Sequence, residues 1–192
     1  MNLSRNIAVI GGGASGFMAA ITAKETNISS NVTIFEKTDK LLAKVKISGG
    51  GRCNVTNATY SLSKLIKSYP RGGKKLKKSF NIFNTKNTVT WFESKGVKLK
   101  TEEDNRIFPL SNNSESIVNI LISTAEELAI RISLKSKVNK IQITKQGFIL
   151  NINKEKLFFE KIIIASGGSA KSSGFEWISS LGYKIINPVP SL

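Results

Sequence analysis

Residues 6–16 read Asn-Ile-Ala-Val-Ile-Gly-Gly-Gly-Ala-Ser-Gly, a short apolar run with β-branched side chains that stops at a glycine cluster. A run of this composition is how a strand buried in a parallel sheet reads. From Ala14 to about Glu25 the chain is alanine-rich, with Phe17, Ala20, Ile21 and Lys24 at helical spacing, and Val32 to Glu36 then alternates as a second strand. The order is strand, glycine turn, helix, strand. Gly11, Gly13 and Gly16 stand at the spacing G-x-G-x-x-G. In that setting the first glycine allows the tight turn, the second lets backbone approach a pyrophosphate, and the third lets helix and strand pack closely.

The helix that opens at Ala14 and Ser15 offers unpaired N–H groups and the positive end of its dipole to a diphosphate. Glu36, about 20 residues beyond the last glycine, can accept hydrogen bonds from ribose hydroxyls, with Lys37 beside it. A carboxylate there disfavours a 2′-phosphate, because two anions would meet. These residues predict a Rossmann-like dinucleotide site spanning residues 5–36, against the alternative of a glycine-rich turn in another α/β protein. They do not separate NAD from FAD.

Downstream, Ser48 to Asn57 carries Gly49, Gly50 and Gly51, too many glycines for a regular element, and reads as a loop. Helical periodicity is predicted for Leu62 to Lys67, Lys74 to Phe83, Thr88 to Lys95 and Ser114 to Leu128, the last with Ile117, Ile120, Leu121 and Leu128 on one side. Val97 to Lys100 and Arg106 to Phe108 read as short strands. Lys137 to Thr144, Gly147 to Asn153 and Lys156 to Phe159 are separated by very short turns and predict an antiparallel meander. Lys161 to Ala165 is a continuous isoleucine run expected to be buried on both faces, ending at Ser166, Gly167 and Gly168 in a second strand-to-glycine junction.

The chain has 192 residues, 40% of them hydrophobic and 22% charged, which is the composition of a globular protein with its own core. No apolar run approaches the ~20 residues of a membrane span, and the polar lead before residue 6 lacks the pattern of a signal peptide; a cytoplasmic location is expected. Cys53 is the one cysteine and histidine is absent, which excludes disulfide frameworks, Cys/His metal sites and dithiol cycling. Redox chemistry would need a cofactor. Cys53 lacks activating and resolving partners and reads as a small buried thiol, and Trp91 and Trp177 as packing residues. The net charge of +16 admits a polyanion or RNA binder, but the lysines are scattered. Only Lys74, Lys75, Lys77 and Lys78 cluster, on a helix, and such a run reads first as a solvated face.

The loop Ser48, Gly49, Gly51, Arg52, Cys53, Asn54, Thr56, Asn57 resembles, position for position, the hallmark Ser-Gly-x-Gly-Arg-Cys-Asn-x-Thr-Asn of the BaiN-like flavoproteins, also called the aminoacetone oxidase family, and Lys44 matches the basic residue upstream. Arg106, Phe108, Pro109 and Ser111 look like that family's Arg-x-Phe-Pro-x-Ser. Ala165, Ser166, Gly167 and Gly168 look like its Ala-Thr-Gly-Gly with Ser166 replacing Thr, and residues 188–192 look like its Pro-x-Pro-Ser-Leu. The family's longer segment after the second junction has no match in Ser169 to Phe175, so its contacts do not carry over.

The resemblance implies a glutathione-reductase-type FAD domain: an α/β fold with a parallel sheet, the meander over residues 137–160 as crossover, and a helical insertion over about 62–128. It implies that Val138 lies near the adenine, that residues 44–57 and Arg52 to Asn54 in particular lie near the flavin, and that Ala165, Ser166 and Gly167 border the cofactor. Read from chemistry alone, Arg52 can fork onto a phosphate or pair with a carboxylate. Asn54 and Thr56 can hydrogen-bond ribityl or flavin edges. The implied activity is flavin-mediated transfer of hydride or electrons from NAD(P)H to a small organic substrate. A C-terminal half with the substrate domain is expected beyond this chain, which alone is expected to be inactive and to hold FAD weakly. An NAD-dependent dehydrogenase using the same glycines is the main alternative.

Overall fold

The computed structural model describes residues 5–169, 171–179 and 181–189. The first four residues, and the last three of the Pro-x-Pro-Ser-Leu stretch, lie outside the described residues. The described chain divides into two compact units, residues 1–43 with 121–192 and residues 44–120.

In the first unit, β1 (Asn6–Ile10) leads into α1 (Ala14–Thr26) and β2 (Asn31–Phe35). β6 (Arg131–Ser133) and β10 (Lys161–Ile164) complete a four-stranded sheet in the order β10-β1-β2-β6, and all of its pairings are parallel. β1 is central, and Ala8 and Val9 are fully buried in it. α1 covers the sheet with Gly16, Phe17, Ala20 and Ile21, the i, i+1, i+4, i+5 stripe that one face of a helix provides. The meander is β7 (Val138–Ile143), β8 (Phe148–Ile152) and β9 (Glu155–Phe159), antiparallel throughout. Its Ile141, Leu150, Ile152 and Phe159 join Ala8, Ile10 and Phe35 in one hydrophobic cluster, and the Phe35 and Phe159 rings meet edge to face at 5.6 Å. The fold class anticipated from the fingerprint is therefore the one observed.

The expectation that Lys161 to Ala165 is buried on both faces is not met. β10 pairs with β1 alone among the described strands, so Ile162 and Ile163 are half-buried and Ile164 is 36% exposed. The sheet also holds a strand that periodicity misses: Arg131-Ile132-Ser133 is too short and polar to register, and its pairing with Thr33, Ile34 and Phe35 makes it a strand.

The second unit contains α2 (Ala43–Ile47) from its second residue, a 3₁₀ turn at Ser48–Gly51, β3 (Thr56–Asn57), α3 (Leu62–Lys67), α4 (Gly73–Ile82), α5 (Thr85–Ser94), β4 (Leu99–Thr101) and β5 (Arg106–Pro109). The strands form a small antiparallel sheet in the order β3-β5-β4. α5 begins three residues before the predicted Thr88 because Asn84 caps it: its side chain accepts from the amides of Lys86 and Asn87, and the Asn87 side chain returns a bond to the Asn84 amide. The division between units falls inside α6 (Glu115–Glu127), which buries Ile117, Val118, Leu121 and Ala125. Among the described residues no helix is long and apolar enough to cross a membrane, and no cluster of His, Cys, Asp and Glu could hold a metal.

Candidate cofactor site

The three fingerprint glycines meet different surroundings. Gly11 has φ +115°, and a Cβ there would strike the Ala165 carbonyl. The crossing is tight because the Gly11 amide bonds to the Phe35 carbonyl at 2.9 Å while the Ala165 amide bonds to the Ile10 carbonyl at 2.9 Å. A Cβ on Gly16 would run into the Gly11 carbonyl. Gly13 is unlike either: its φ of −91° suits any residue, and a Cβ there would meet nothing within 4 Å.

Gly13 is the N-cap of α1, a helix of 13 residues, and it supplies no side-chain cap; no acidic residue stands in the first turn. The Phe17 amide is taken by the Gly13 carbonyl at 3.0 Å. The positive end of the helix at Ala14, Ser15 and Gly16 is thus not neutralised by any side chain of the turn, the arrangement that receives an anion.

Glu36 closes the turn from the next strand. Its Oε2 accepts from the Gly12 amide at 2.9 Å, and its Oε1 accepts from the Thr38 amide at 2.8 Å and the Thr38 hydroxyl at 2.9 Å. Partial burial pushes its pKa up, but these bonds and the Lys37 charge outweigh it, and the net shift is downward. The carboxylate is charged at neutral pH and each oxygen keeps further acceptor capacity. The role of Gly12 as donor was not visible in the spacing of the motif.

A cavity of about 510 Å³ opens at the C-terminal ends of β1 and β2, lined among others by Gly11, Glu36, Lys37, Val138, Ser166 and Gly167, which is the volume range of a small-molecule site. The structure therefore brings six of the residues singled out from the sequence onto one surface, and Ala165 lies against Gly11. Phe175 and Trp177 also line it. Trp177 packs on the hydrophobic cluster as expected, but its place on the cavity wall was missed, because residues 172–179 carry no motif.

The Ser48–Asn57 loop lies in the second unit. Gly49, Gly50 and Gly51 take φ of 57°, 69° and 83°, and Cys53 follows at 60°. The Cys53 amide bonds to the Ser48 carbonyl at 2.9 Å, and the Ser48 hydroxyl to the Val45 carbonyl at 2.9 Å. Gly49 is also required sterically, since a Cβ would come within 2.8 Å of both the Asn54 amide and Phe108 Cε1. Burial pushes the Cys53 thiol pKa up, with a bond to Ser48 opposing; it is the small buried thiol expected.

Of the two roles open to Arg52, the structure displays the carboxylate: its guanidinium meets Glu102 Oε1 at 2.6 Å and lies 4.0 Å over the Phe108 ring. Arg106 and Lys100 approach the same Glu102 at 3.9 and 3.8 Å. Thr56 pairs with Ile107 across β3 and β5, and the Val55 amide bonds to the Ile107 carbonyl at 2.8 Å. The Arg106-x-Phe-Pro segment is thus the packing floor of the glycine loop. Asn54 and Lys44 are exposed.

This combination of parallel sheet, glycine turn, open helix end and acidic strand end defines a Rossmann-type nucleotide-binding domain. The chain belongs to the family described as HI0933-like protein Rossmann domain, whose model matches residues 5–188, and the resemblance carried by the glycine-arginine loop is borne out. It is similar to the 3-dehydro-bile acid delta(4,6)-reductase of Clostridium scindens, 28% identical over 192 residues that cover 97% of this chain and 46% of that protein. The ribosomal RNA dihydrouridine synthase of Haemophilus influenzae is 26% identical over 199 residues, covering 98% of this chain and 48% of the relative. The chain spans about half the length of these curated relatives. Among solved structures, the open conformation of a flavocytochrome c3 fumarate reductase superposes with a TM-score of 0.66 at 20% identity, over 91% of this chain and 35% of the other; that likeness concerns the fold.

Proposed function

We propose that this chain binds the adenosine diphosphate portion of FAD and forms part of an oxidoreductase. The observation that carries the reading is Gly13, a glycine that the protein's own packing and backbone angles do not require, at an uncapped helix end beside a charged carboxylate. A ligand that must approach the backbone supplies the missing reason. FAD, when bound, supplies hydride and electron transfer.

In this reading the amides of Ala14, Ser15 and Gly16 face the diphosphate. Glu36 accepts from ribose hydroxyls and repels a 2′-phosphate. Val138 gives the adenine an apolar wall, with Phe175 and Trp177 near it on the cavity lining. The Ser48–Asn57 loop, with Lys44 before it, is the flavin-contacting segment that the family resemblance assigns. Its Arg52 is held by Glu102, so Arg52 acts by fixing the loop's shape, and the exposed Asn54 is its free hydrogen-bonding group.

For the whole protein we propose electron flow from NAD(P)H to an unsaturated organic substrate in the cytoplasm, where reduced nicotinamides are held. The relatives' names, a delta(4,6)-reductase and a dihydrouridine synthase, support an acceptor of this class. The test is to release the bound nucleotide from the complete gene product by heat and identify it by chromatography. FAD is expected, with the visible flavin band bleaching when NADH or NADPH is added without oxygen. Release of NAD with no flavin would overturn the reading in favour of a dehydrogenase.

A further inference from the structure

Ser114, directly before α6, turns both of its donors toward the glycine loop. The residue is buried. Its Oγ donates to the Lys46 carbonyl at 2.9 Å and its amide to the Gly51 carbonyl at 2.9 Å. Lys46 lies in the last turn of α2, where helix carbonyls have no partner within the helix, and Gly51 ends the 3₁₀ turn that follows. One residue thus fixes the separation of two carbonyls that flank Ile47, Ser48, Gly49 and Gly50.

The loop needs a hold from outside. Gly49, Gly50 and Gly51 stand in succession, and glycine leaves the backbone freer than any other residue does. The bond from the Cys53 amide to the Ser48 carbonyl closes the turn on itself without tying it to the rest of its unit. Ser114 supplies that tie from a firm base. Its own carbonyl accepts from the amides of Ile117 and Val118, each at 3.0 Å, and both of those side chains are buried.

Glu115 repeats the link one residue on, its carboxylate meeting Lys46 Nζ at 3.1 Å, but both side chains are half-exposed. A pair so open to solvent contributes little, so the buried hydroxyl carries the hold. On the far side of the turn Arg52 is fixed by Glu102. The stretch is therefore pinned at residues 46, 51 and 52. Between the first two of these the exposed residues are Ile47, at 75%, and Gly50. They are the groups left to meet a ligand, and the carbonyl held by the Ser114 hydroxyl belongs to the residue directly before Ile47.

We infer that Ser114 is a positioning residue for the flavin: acting through the loop, it sets where Ile47 and Gly50 stand against the cofactor. A contact of this kind works only when its supporting residues hold it to within about 0.5 Å. The inference rests on the reading of residues 48–57 as the flavin-contacting segment.

The test uses the complete gene product, stripped of flavin and titrated with FAD. Ser114→Ala removes the hydroxyl bond and keeps the amide bond. It should bind FAD about fivefold more weakly, the factor that one net hydrogen bond carries, and the visible circular dichroism of its bound flavin should differ from the parent's. Ser114→Cys, a weaker donor, should fall between the two in both readouts, and it takes the place of Ser114→Ala if that variant does not fold. Thr85→Val is the control for a structural role. It removes another buried hydroxyl, one that bonds to the Thr59 carbonyl at 2.8 Å, and should lower the urea midpoint while leaving flavin affinity and dichroism at the parent's values. A flavin-binding parent whose Ser114 variants match it in affinity and dichroism would overturn the inference and leave the flavin reading standing. Equal losses in Thr85→Val would also overturn it. A parent that takes up no FAD would overturn the reading itself, and the inference with it.

Discussion

The glycine clusters at residues 11–16 and 48–53 differ in what their glycines are for. In the loop at residues 48–53 every glycine answers to the protein: three successive left-handed residues make the turn, and Gly49 also makes room for Asn54 and Phe108. In the turn at residues 11–16, Gly11 and Gly16 answer to the protein in the same way, but Gly13 has an ordinary φ and empty space before it. A glycine explained by the fold says little about ligands. One that the fold leaves unexplained points outward, to whatever approaches the backbone there.

The contrast can be broken where it is sharpest. Gly16→Ala places a methyl group against the Gly11 carbonyl, and unfolding in urea should show a loss of roughly 3 kcal/mol or more, at the upper end of overpacking costs. A variant as stable as the parent would mean that the crossing is looser than described. Next in size, Arg52→Gln removes the partly buried pair with Glu102 and the contact with Phe108. Because the pair is about one-third exposed, solvent screening limits the loss to about 1 kcal/mol. Hydrogen exchange should rise in residues 48–57 and not in α1; uniform exchange changes would contradict a role confined to the loop.

Glu36 offers a smaller, pH-dependent probe. Its folded pKa lies below the ordinary 4.5, so the folded state binds fewer protons there than the unfolded chain. The stability it contributes is full above that ordinary value and is lost as pH falls through the lowered one. Urea midpoints of the parent should therefore fall more steeply below about pH 4.5 than those of Glu36→Gln, and parallel curves would remove the Gly12 and Thr38 bonds from the account. The least effect is expected at Cys53: with burial raising its pKa, a disulfide reagent at neutral pH should label it only in step with unfolding, and rapid labelling of the native protein would show an open loop.

Much of this was legible in the sequence because it is local. The fingerprint occupies eleven consecutive residues, 6–16, and its strand, turn and helix follow from spacing. The meander followed from three strand-like runs separated by very short turns. What escaped notice depends on partners distant in the chain. Arg131–Ser133 becomes a strand only by pairing with β2, and Arg52 finds Glu102 fifty residues on. The half-exposure of Ile162 to Ile164 reflects the place of β10 in the sheet order, which no isoleucine run encodes. The start of α5 was hidden because Asn87 stands where a capping box more often has Glu or Gln.

The central claim is that Gly13 is kept for a dinucleotide and not for the fold, and Gly13→Asp in the complete gene product tests it most directly. Aspartate is a favourable N-cap at the observed angles and finds open space, so the thermal or urea stability of the nucleotide-free protein should hold or rise by up to about 1 kcal/mol, while its negative charge at the helix end should abolish FAD retention. A variant that purified with the parent's full flavin content would contradict the account.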